Sequence, residues 1–171
     1  MAKKLIIDLK KCKQCDKCEA VCSYKHHPEN NGIDALLEQV RFSLICRKCE
    51  MAPCVNACPQ EALEKVPLEN EDESVLKRYN MLCTGCGTCA MACPFGTIYS
   101  DLVPFVSSVC DLCRERISSD QNPLCVETCP YDSLEYRQVE ANDNMIEVLP
   151  GVIVKVEGGQ LWQPLKKNKK G

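Results

Sequence analysis

Sixteen cysteines, gathered in four sets of four, constrain this 171-residue chain more than any other feature. The sets are Cys12, Cys15, Cys18, Cys22; Cys46, Cys49, Cys54, Cys58; Cys83, Cys86, Cys89, Cys93; and Cys110, Cys113, Cys125, Cys129. Three of them end in Cys-Pro, at Pro59, Pro94 and Pro130. The third, Cys83-Thr-Gly-Cys86-Gly-Thr-Cys89-Ala-Met-Ala-Cys93-Pro94, is a C-x2-C-x2-C-x3-C-P run, the spacing whose thiolates hold [4Fe–4S] cubanes. Sixteen thiolates in sets of four therefore imply four such clusters.

The spacing has a mechanical reason. A cubane needs one thiolate on each iron, and a C-x2-C-x2-C loop presents three side chains from one concave stretch of backbone. The fourth cysteine follows three residues later, before a proline, and is carried elsewhere; in two-cluster ferredoxins it serves the other cluster. Gly85, Gly87, Ala90 and Ala92 let the backbone of the third set approach a bulky group. Zinc is the competing metal, because the second and fourth sets each contain C-x2-C and a further close pair. Disulfides are the second competitor, since cysteine is about 9% of the residues. Cysteines three residues apart suit metal better than long-range stapling, and the N-terminus, Met1-Ala2-Lys3-Lys4-Leu5-Ile6-Ile7-Asp8, shows no secretory h-region. A reducing, cytoplasmic setting is expected, with export as passenger of a signal-bearing partner left open.

Composition agrees with an unusual interior. Aromatic residues are 5% of the chain, and part of the 45% hydrophobic content is cysteine, so inorganic clusters would have to fill space that large side chains usually fill. The formal charge is −3; four oxidised cubanes with their thiolates add about −8, bringing the loaded protein near −11. That charge opposes nucleic-acid binding, and no basic–aromatic surface pattern offsets it. No apolar run reaches the roughly 18 residues of a membrane span.

The three Cys-Pro segments repeat one template: Cys58-Pro59-Gln-Glu61-Ala62-Leu63, Cys93-Pro94-Phe95-Gly96-Thr97-Ile98 and Cys129-Pro130-Tyr131-Asp132-Ser133-Leu134. Proline at the first position predicts a helical turn, followed by strands at Leu63–Val66, Ile98–Ser100 and Leu134–Val139. Further strands are predicted at Lys4–Leu9, Val75–Tyr79 and Phe105–Val109, and a short helix at Ile33–Val40. His27 to Gly32 reads as a polar turn, and residues 67–74 as a solvated acidic loop. Gly151–Leu165 reads as a hairpin turning at Glu157-Gly158-Gly159, and the lysine-rich end, Lys166 to Gly171, as disordered.

With these residues in view, the chain resembles the four-cluster iron–sulfur subunits of the dimethyl-sulfoxide reductase and formate dehydrogenase family. Related subunits serve formate hydrogenlyase, carbon-monoxide dehydrogenase and tungsten aldehyde oxidoreductases, whose small subunit is one candidate. The likeness covers residues 4 to about 138. It includes Cys46-Arg-Lys-Cys49-Glu-Met-Ala-Pro53-Cys54-Val-Asn-Ala-Cys58-Pro59 and the segment from Cys110-Asp-Leu-Cys113-Arg114 to Pro123-Leu124-Cys125-Val-Glu-Thr-Cys129-Pro130. The resemblance implies an α+β fold: two loop-rich ferredoxin-like modules with crossed cluster ligation, short strands and helices, and a C-terminal β-hairpin extension. The inner module would be residues 42–103 and the outer one 1–41 plus 104–140, with the extension at 141–171, all within one poly-cluster domain. It also implies the pairing: Cys12, Cys15, Cys18, Cys129 on one cluster; Cys22, Cys110, Cys113, Cys125 on the second; Cys46, Cys49, Cys54, Cys93 on the third; Cys58, Cys83, Cys86, Cys89 on the fourth. Where some relatives replace a cysteine and hold a three-iron cluster, this chain keeps all sixteen. The implied partners are a larger catalytic subunit, a molybdenum or tungsten pterin enzyme, and a second redox protein.

No nucleophile–base pair, phosphate-binding glycine loop, or flavin or nicotinamide fingerprint appears. The expectation is a relay of single electrons without a catalytic site of its own, serving anaerobic metabolism. A free-standing polyferredoxin shuttle, a subunit of a hydrogenase or carbon-monoxide dehydrogenase, and a merely structural use of the clusters are the competing readings. Of the remaining residues, His26 and His27 read as exposed loop. Lys13, Lys17, Arg47 and Lys48 sit inside cysteine loops, either solvated or raising a cluster's potential. The third set has no charge between its cysteines, which predicts a lower potential there than at the first. Trp162 and the terminal lysines are either a docking arm or part of a hairpin on the chain's own core.

Overall fold

The computed structural model describes residues 2–23, 32–68, 73–79, 81–98, 110–113, 115–142 and 144–156. The chain forms two compact units, one from residues 1–40 and 107–159, the other from 41–106. The histidine pair, the predicted strand Phe105–Val109, Trp162 and the lysine-rich end lie outside the described residues.

The first unit is built on a four-stranded sheet. Its strands are β1 (Lys4–Asp8), β4 (Leu134–Arg137), β5 (Met145–Leu149) and β6 (Val152–Lys155), in the order β4-β1-β6-β5. β1 runs antiparallel to β4, with Ile7 opposite Leu134, and parallel to β6, with Ile6 opposite Ile153. Leu5, Ile6 and Ile7, and Val152, Ile153 and Val154, are all buried. Three successive buried residues mean that both faces of each central strand are covered, which explains apolar runs without alternation. Asp8 ends β1 by capping the short helix α1 (Leu9–Cys12), accepting hydrogen bonds from the backbone N–H groups of Lys10 (3.1 Å) and Lys11 (3.2 Å). The first cysteine is thereby delivered straight from the central strand.

The hairpin differs from the one predicted. Val152–Lys155 is a strand, but its antiparallel partner is the preceding Met145–Leu149, joined through Pro150-Gly151. Gly151 adopts φ +78°, and a Cβ there would meet Leu112 Cδ1 at 3.0 Å. A left-handed residue in close contact is what glycine permits and alanine resists. The predicted partner at Leu161–Gln163 lies outside the described residues. A buried ion pair also ties this hairpin to β1: Lys4 Nζ donates to Glu147 Oε2 at 3.3 Å, and Glu147 Oε1 accepts the N–H of Gly151 at 3.0 Å.

The predicted helix at Ile33–Val40 is longer, α2 (Gly32–Ile45). Ile33, Leu36, Leu37 and Val40, at three- and four-residue spacing, are buried. In the second unit, β2 (Leu63–Pro67) and β3 (Ser74–Arg78) pair antiparallel, with Lys65 opposite Leu76. Three short helices bracket cysteines: α3 (Pro53–Asn56) and α4 (Thr88–Ala92) in the second unit, and α5 (Leu124–Glu127) in the first. One cluster of the second unit holds Leu63, Cys89 and Ile98 as buried members, edged by Phe42, Val55, Leu76, Ala90, Cys54, Cys58, Cys83 and Cys93. Cysteine thus takes the place of large apolar side chains.

Candidate iron–sulfur centres

The three Cys-Pro segments are β-turns rather than helical turns. In each, the residue three positions after the cysteine donates its N–H to the cysteine carbonyl: Glu61 to Cys58 at 3.2 Å, Gly96 to Cys93 at 3.2 Å, Asp132 to Cys129 at 3.3 Å. That same residue is left-handed in all three, at φ +49°, +60° and +48°. The reversal turns the next residue back onto the thiol. Ala62 N–H reaches Cys58 Sγ at 3.3 Å and Ser133 N–H reaches Cys129 Sγ at 3.3 Å, while Thr97 Oγ1 lies 3.4 Å from Cys93 Sγ. The repeat therefore builds one device three times: a sulfur that accepts a hydrogen bond from the fourth residue on. Only Gly96 signals the left-handed position by residue type, which is why proline alone suggested a helix.

The thiols interact in sets that cut across the sequence groups. Burial raises Cys12 above an ordinary thiol, Ser133 works against that, and the negative charge of Cys129 and Cys18 adds to the rise. Cys18 is raised by burial, relieved by the N–H of Ala20, and raised further by Asp34, Cys129 and Cys15. Cys15 is raised too, by desolvation first, with the charges of Glu19 and Cys129 adding. Cys129 thus stands with the first group. Conversely, burial and its neighbours Cys110, Cys113 and Cys22 push Cys125 up to about 12. Burial pushes Cys110 up to about 11, with Cys113 and Cys22 among the contributing charges. Gly32, at the start of α2, marks how tight this set is, since a Cβ there would lie 3.4 Å from Cys22 Sγ and 3.6 Å from Cys110 Cα.

The second unit repeats the exchange. Cys46 is raised by burial, with Cys49 and Cys93 adding, and Cys54 by burial, Cys46 and Cys93. Cys89 is raised by burial, with Cys58 and Cys83 adding. Cys86 is exposed, and its thiol is lowered chiefly by the hydroxyl of Thr88, 3.3 Å away. Cys93 is also lowered: burial opposes, but the Thr97 hydroxyl and the N–H groups of Phe95, Thr97 and Ile98 outweigh it. So the third group, although free of charged residues, carries hydroxyl donors, and each favours added negative charge as a cation does.

Charges near the other groups are less free than the sequence suggests. Lys48, inside the second group, pairs with Glu73 at 2.9 Å, so part of the acidic loop is an ion-pair partner rather than solvated turn. Arg47 stacks over the Phe95 ring, its Cζ 5.6 Å from the centroid. Sequence spacing missed Arg116, which lies three residues beyond Cys113. Its guanidinium bonds Asp111 Oδ1 at 2.6 Å, Ser23 Oγ at 2.9 Å and Cys113 Sγ at 3.6 Å.

The donor chemistry fits iron–sulfur clusters. Thiols gathered in sets, several of them raised by burial and by one another, become thiolates together beside a cationic centre, and the N–H and hydroxyl groups aimed at their sulfurs are the outer partners such a group uses. Short cysteine helices, Cys-Pro turns and thiol sets with sulfur-directed donors define an iron–sulfur electron-transfer protein.

Comparison with known proteins places it further. The 4Fe-4S dicluster domain profile matches residues 37–139, and a 4Fe-4S binding domain matches residues 9–25. The chain belongs to the 4Fe-4S dicluster domain family and carries multiple [4Fe–4S] clusters. It is 32% identical over 151 residues to YsaA of Escherichia coli K12, spanning 80% of this chain and 90% of that protein. It is 28% identical over 158 residues to the electron transport protein HydN of the same strain, spanning 76% and 85%. It is also 28% identical over 155 residues to the thiosulfate reductase electron transfer subunit PhsB of Salmonella typhi, spanning 81% and 77%. Its function is electron transfer. Among the described residues no helix is long and apolar enough to cross a membrane.

Proposed function

We propose that the chain relays single electrons through four [4Fe–4S] clusters, between a molybdenum or tungsten oxidoreductase subunit and a second redox protein. The observation that carries this is the exchange of the last cysteine of each group. Cys129 stands with Cys12, Cys15 and Cys18, while Cys22 stands with Cys110 and Cys125; Cys93 stands with Cys46 and Cys54, while Cys58 stands with Cys89. Such an exchange interlocks two cysteine loops in each unit, as in two ferredoxin-like modules, and draws each pair of sites close. Each cluster, when bound, takes up and gives back one electron at a potential set by its surroundings. The polypeptide's part is to supply the thiolates, fix them with short helices and turns, and aim N–H and O–H groups at their sulfurs.

The same reading gives Cys12, Cys15, Cys18, Cys129; Cys22, Cys110, Cys113, Cys125; Cys46, Cys49, Cys54, Cys93; and Cys58, Cys83, Cys86, Cys89 as the four ligand sets. It makes the chain a non-catalytic, cytoplasmic subunit. HydN and PhsB support the electron-transfer part by name; a pterin-metal partner follows from the family likeness. The test is anaerobic purification of the tagged chain from its native host, with metal analysis of co-purifying chains. A larger companion containing molybdenum or tungsten is expected. A lone 19.2 kDa species, or a companion with neither metal, overturns the assignment.

A further inference from the structure

Three acceptors meet at the Arg116 guanidinium: Asp111, Ser23 and Cys113. Asp111 Oδ1 takes its Nη2 at 2.6 Å and also accepts the N–H of Cys113 at 2.9 Å, so one carboxylate fixes both the guanidinium and the cysteine backbone. Ser23 Oγ takes Nη1 at 2.9 Å, and the same hydroxyl lies 3.6 Å from Cys113 Sγ. With a lone pair engaged by the arginine, the serine hydrogen is available to that sulfur. Nη2 itself reaches Cys113 Sγ at 3.6 Å. The backbone is bent to allow this: Leu112, Cys113 and Glu115 are all left-handed, at φ +55°, +52° and +41°, though none is glycine. Cys113 is buried, whereas the Arg116 side chain is 31% exposed, so solvent screens part of its charge.

We propose that Arg116, clamped by Asp111 and Ser23, is a positioning residue that raises the reduction potential of the cluster ligated by Cys22, Cys110, Cys113 and Cys125. This rests on the ligand assignment above. Reduction adds one electron and breaks no bond, and no proton need move. The added negative charge is spread over the sulfurs, so a fixed guanidinium hydrogen-bonded to one of them stabilises the reduced form more than the oxidised. Asp111 offsets part of the charge but fixes its position. Those hydrogen bonds, rather than burial, distinguish Arg116 from other exposed cations.

The test is an EPR-monitored dithionite titration of the full-length, anaerobically reconstituted protein, with iron and acid-labile sulfide measured alongside. In Arg116→Gln, iron and sulfide are expected to stay at wild-type levels while one midpoint falls. The expected change is about tenfold in that cluster's reduction equilibrium, or about 59 mV for a one-electron couple. Arg116→Lys keeps the charge without the fork and is expected to lower the same midpoint less. Unchanged midpoints in Arg116→Gln overturn the proposal, as does loss of about a quarter of the iron in both variants, which would mark a structural residue. Cys113→Ala separates the two levels: full iron with every midpoint unmoved in that variant removes the ligand assignment itself.

Discussion

Replacing Lys4 by methionine removes one half of a buried ion pair and leaves the other half in place. Lys4 Nζ and Glu147 Oε2 are 3.3 Å apart, with both side chains 6% exposed. At an effective dielectric of about 20 the attraction is roughly 5 kcal/mol. Desolvating the two ions consumes most of that, so the pair itself adds little net stability. The single change is another matter. Methionine fills the space of the lysine stem but strands the Glu147 carboxylate, whose remaining described hydrogen bond is the Gly151 N–H at 3.0 Å. Breaking a buried pair in this way costs about 3–5 kcal/mol, which in a chain of this size lowers the melting temperature by roughly 10 °C. Lys4→Met/Glu147→Gln keeps an amide oxygen for Gly151 and removes the stranded charge; it should recover most of the loss. Because cluster loss makes unfolding irreversible, the wild type and both variants must be scanned anaerobically at one heating rate. Equal melting of Lys4→Met and wild type would refute the reasoning, as would a double variant no better than the single.

Other expectations follow from the turns, the hydroxyls and the uneven core. Glu61→Gly and Asp132→Gly should each stabilise by up to about 1 kcal/mol by relieving a left-handed side chain, while Gly96→Ala should destabilise by about 1–2 kcal/mol; anaerobic melting of the loaded proteins checks the signs. Thr97→Val and Thr88→Val each remove a hydroxyl beside a sulfur, at Cys93 and Cys86, and each should lower one cluster midpoint in a redox titration without loss of iron. Chelation of iron should expose residues 41–98 before the four-stranded sheet. Among the described residues the second unit buries Ala62, Leu63, Leu68, Val75, Cys89 and Ile98, scattered over a two-stranded sheet and cysteine loops, whereas the first unit's sheet buries six aliphatic residues of β1 and β6 in continuous runs. Hydrogen exchange of the chelated protein should leave Leu5–Ile7 and Val152–Val154 protected longest.

Much of this was legible in the residues, and the failures have physical causes. Four strands lie within a few residues of the bounds expected from the sequence: Lys4–Asp8, Leu63–Pro67, Ser74–Arg78 and Leu134–Arg137. The helix beginning at Gly32 ran five residues past its expected end, because Arg41 to Ile45 continue it without a breaking residue. The turn expected at Glu157-Gly158-Gly159 lies outside the described residues. The described hairpin turns at Pro150-Gly151, where the Glu147 carboxylate accepts the Gly151 N–H and a Cβ on Gly151 would crowd Leu112. The Cys-Pro turns were read as helical since proline suits both, and the decisive left-handed residue is glycine in only one of three. Sixteen cysteines identified the chemistry at once. What no spacing rule disclosed was the second layer, namely Arg116 on Cys113, Thr97 on Cys93, and Glu73 neutralising Lys48, because those contacts depend on how loops meet.

Iron and acid-labile sulfide counted per chain, after anaerobic isolation, test the central claim most directly. Four intact cubanes predict about 16 of each, with no stoichiometric zinc. Iron and sulfide near zero, with the cysteines oxidised in pairs or occupied by zinc, would contradict it.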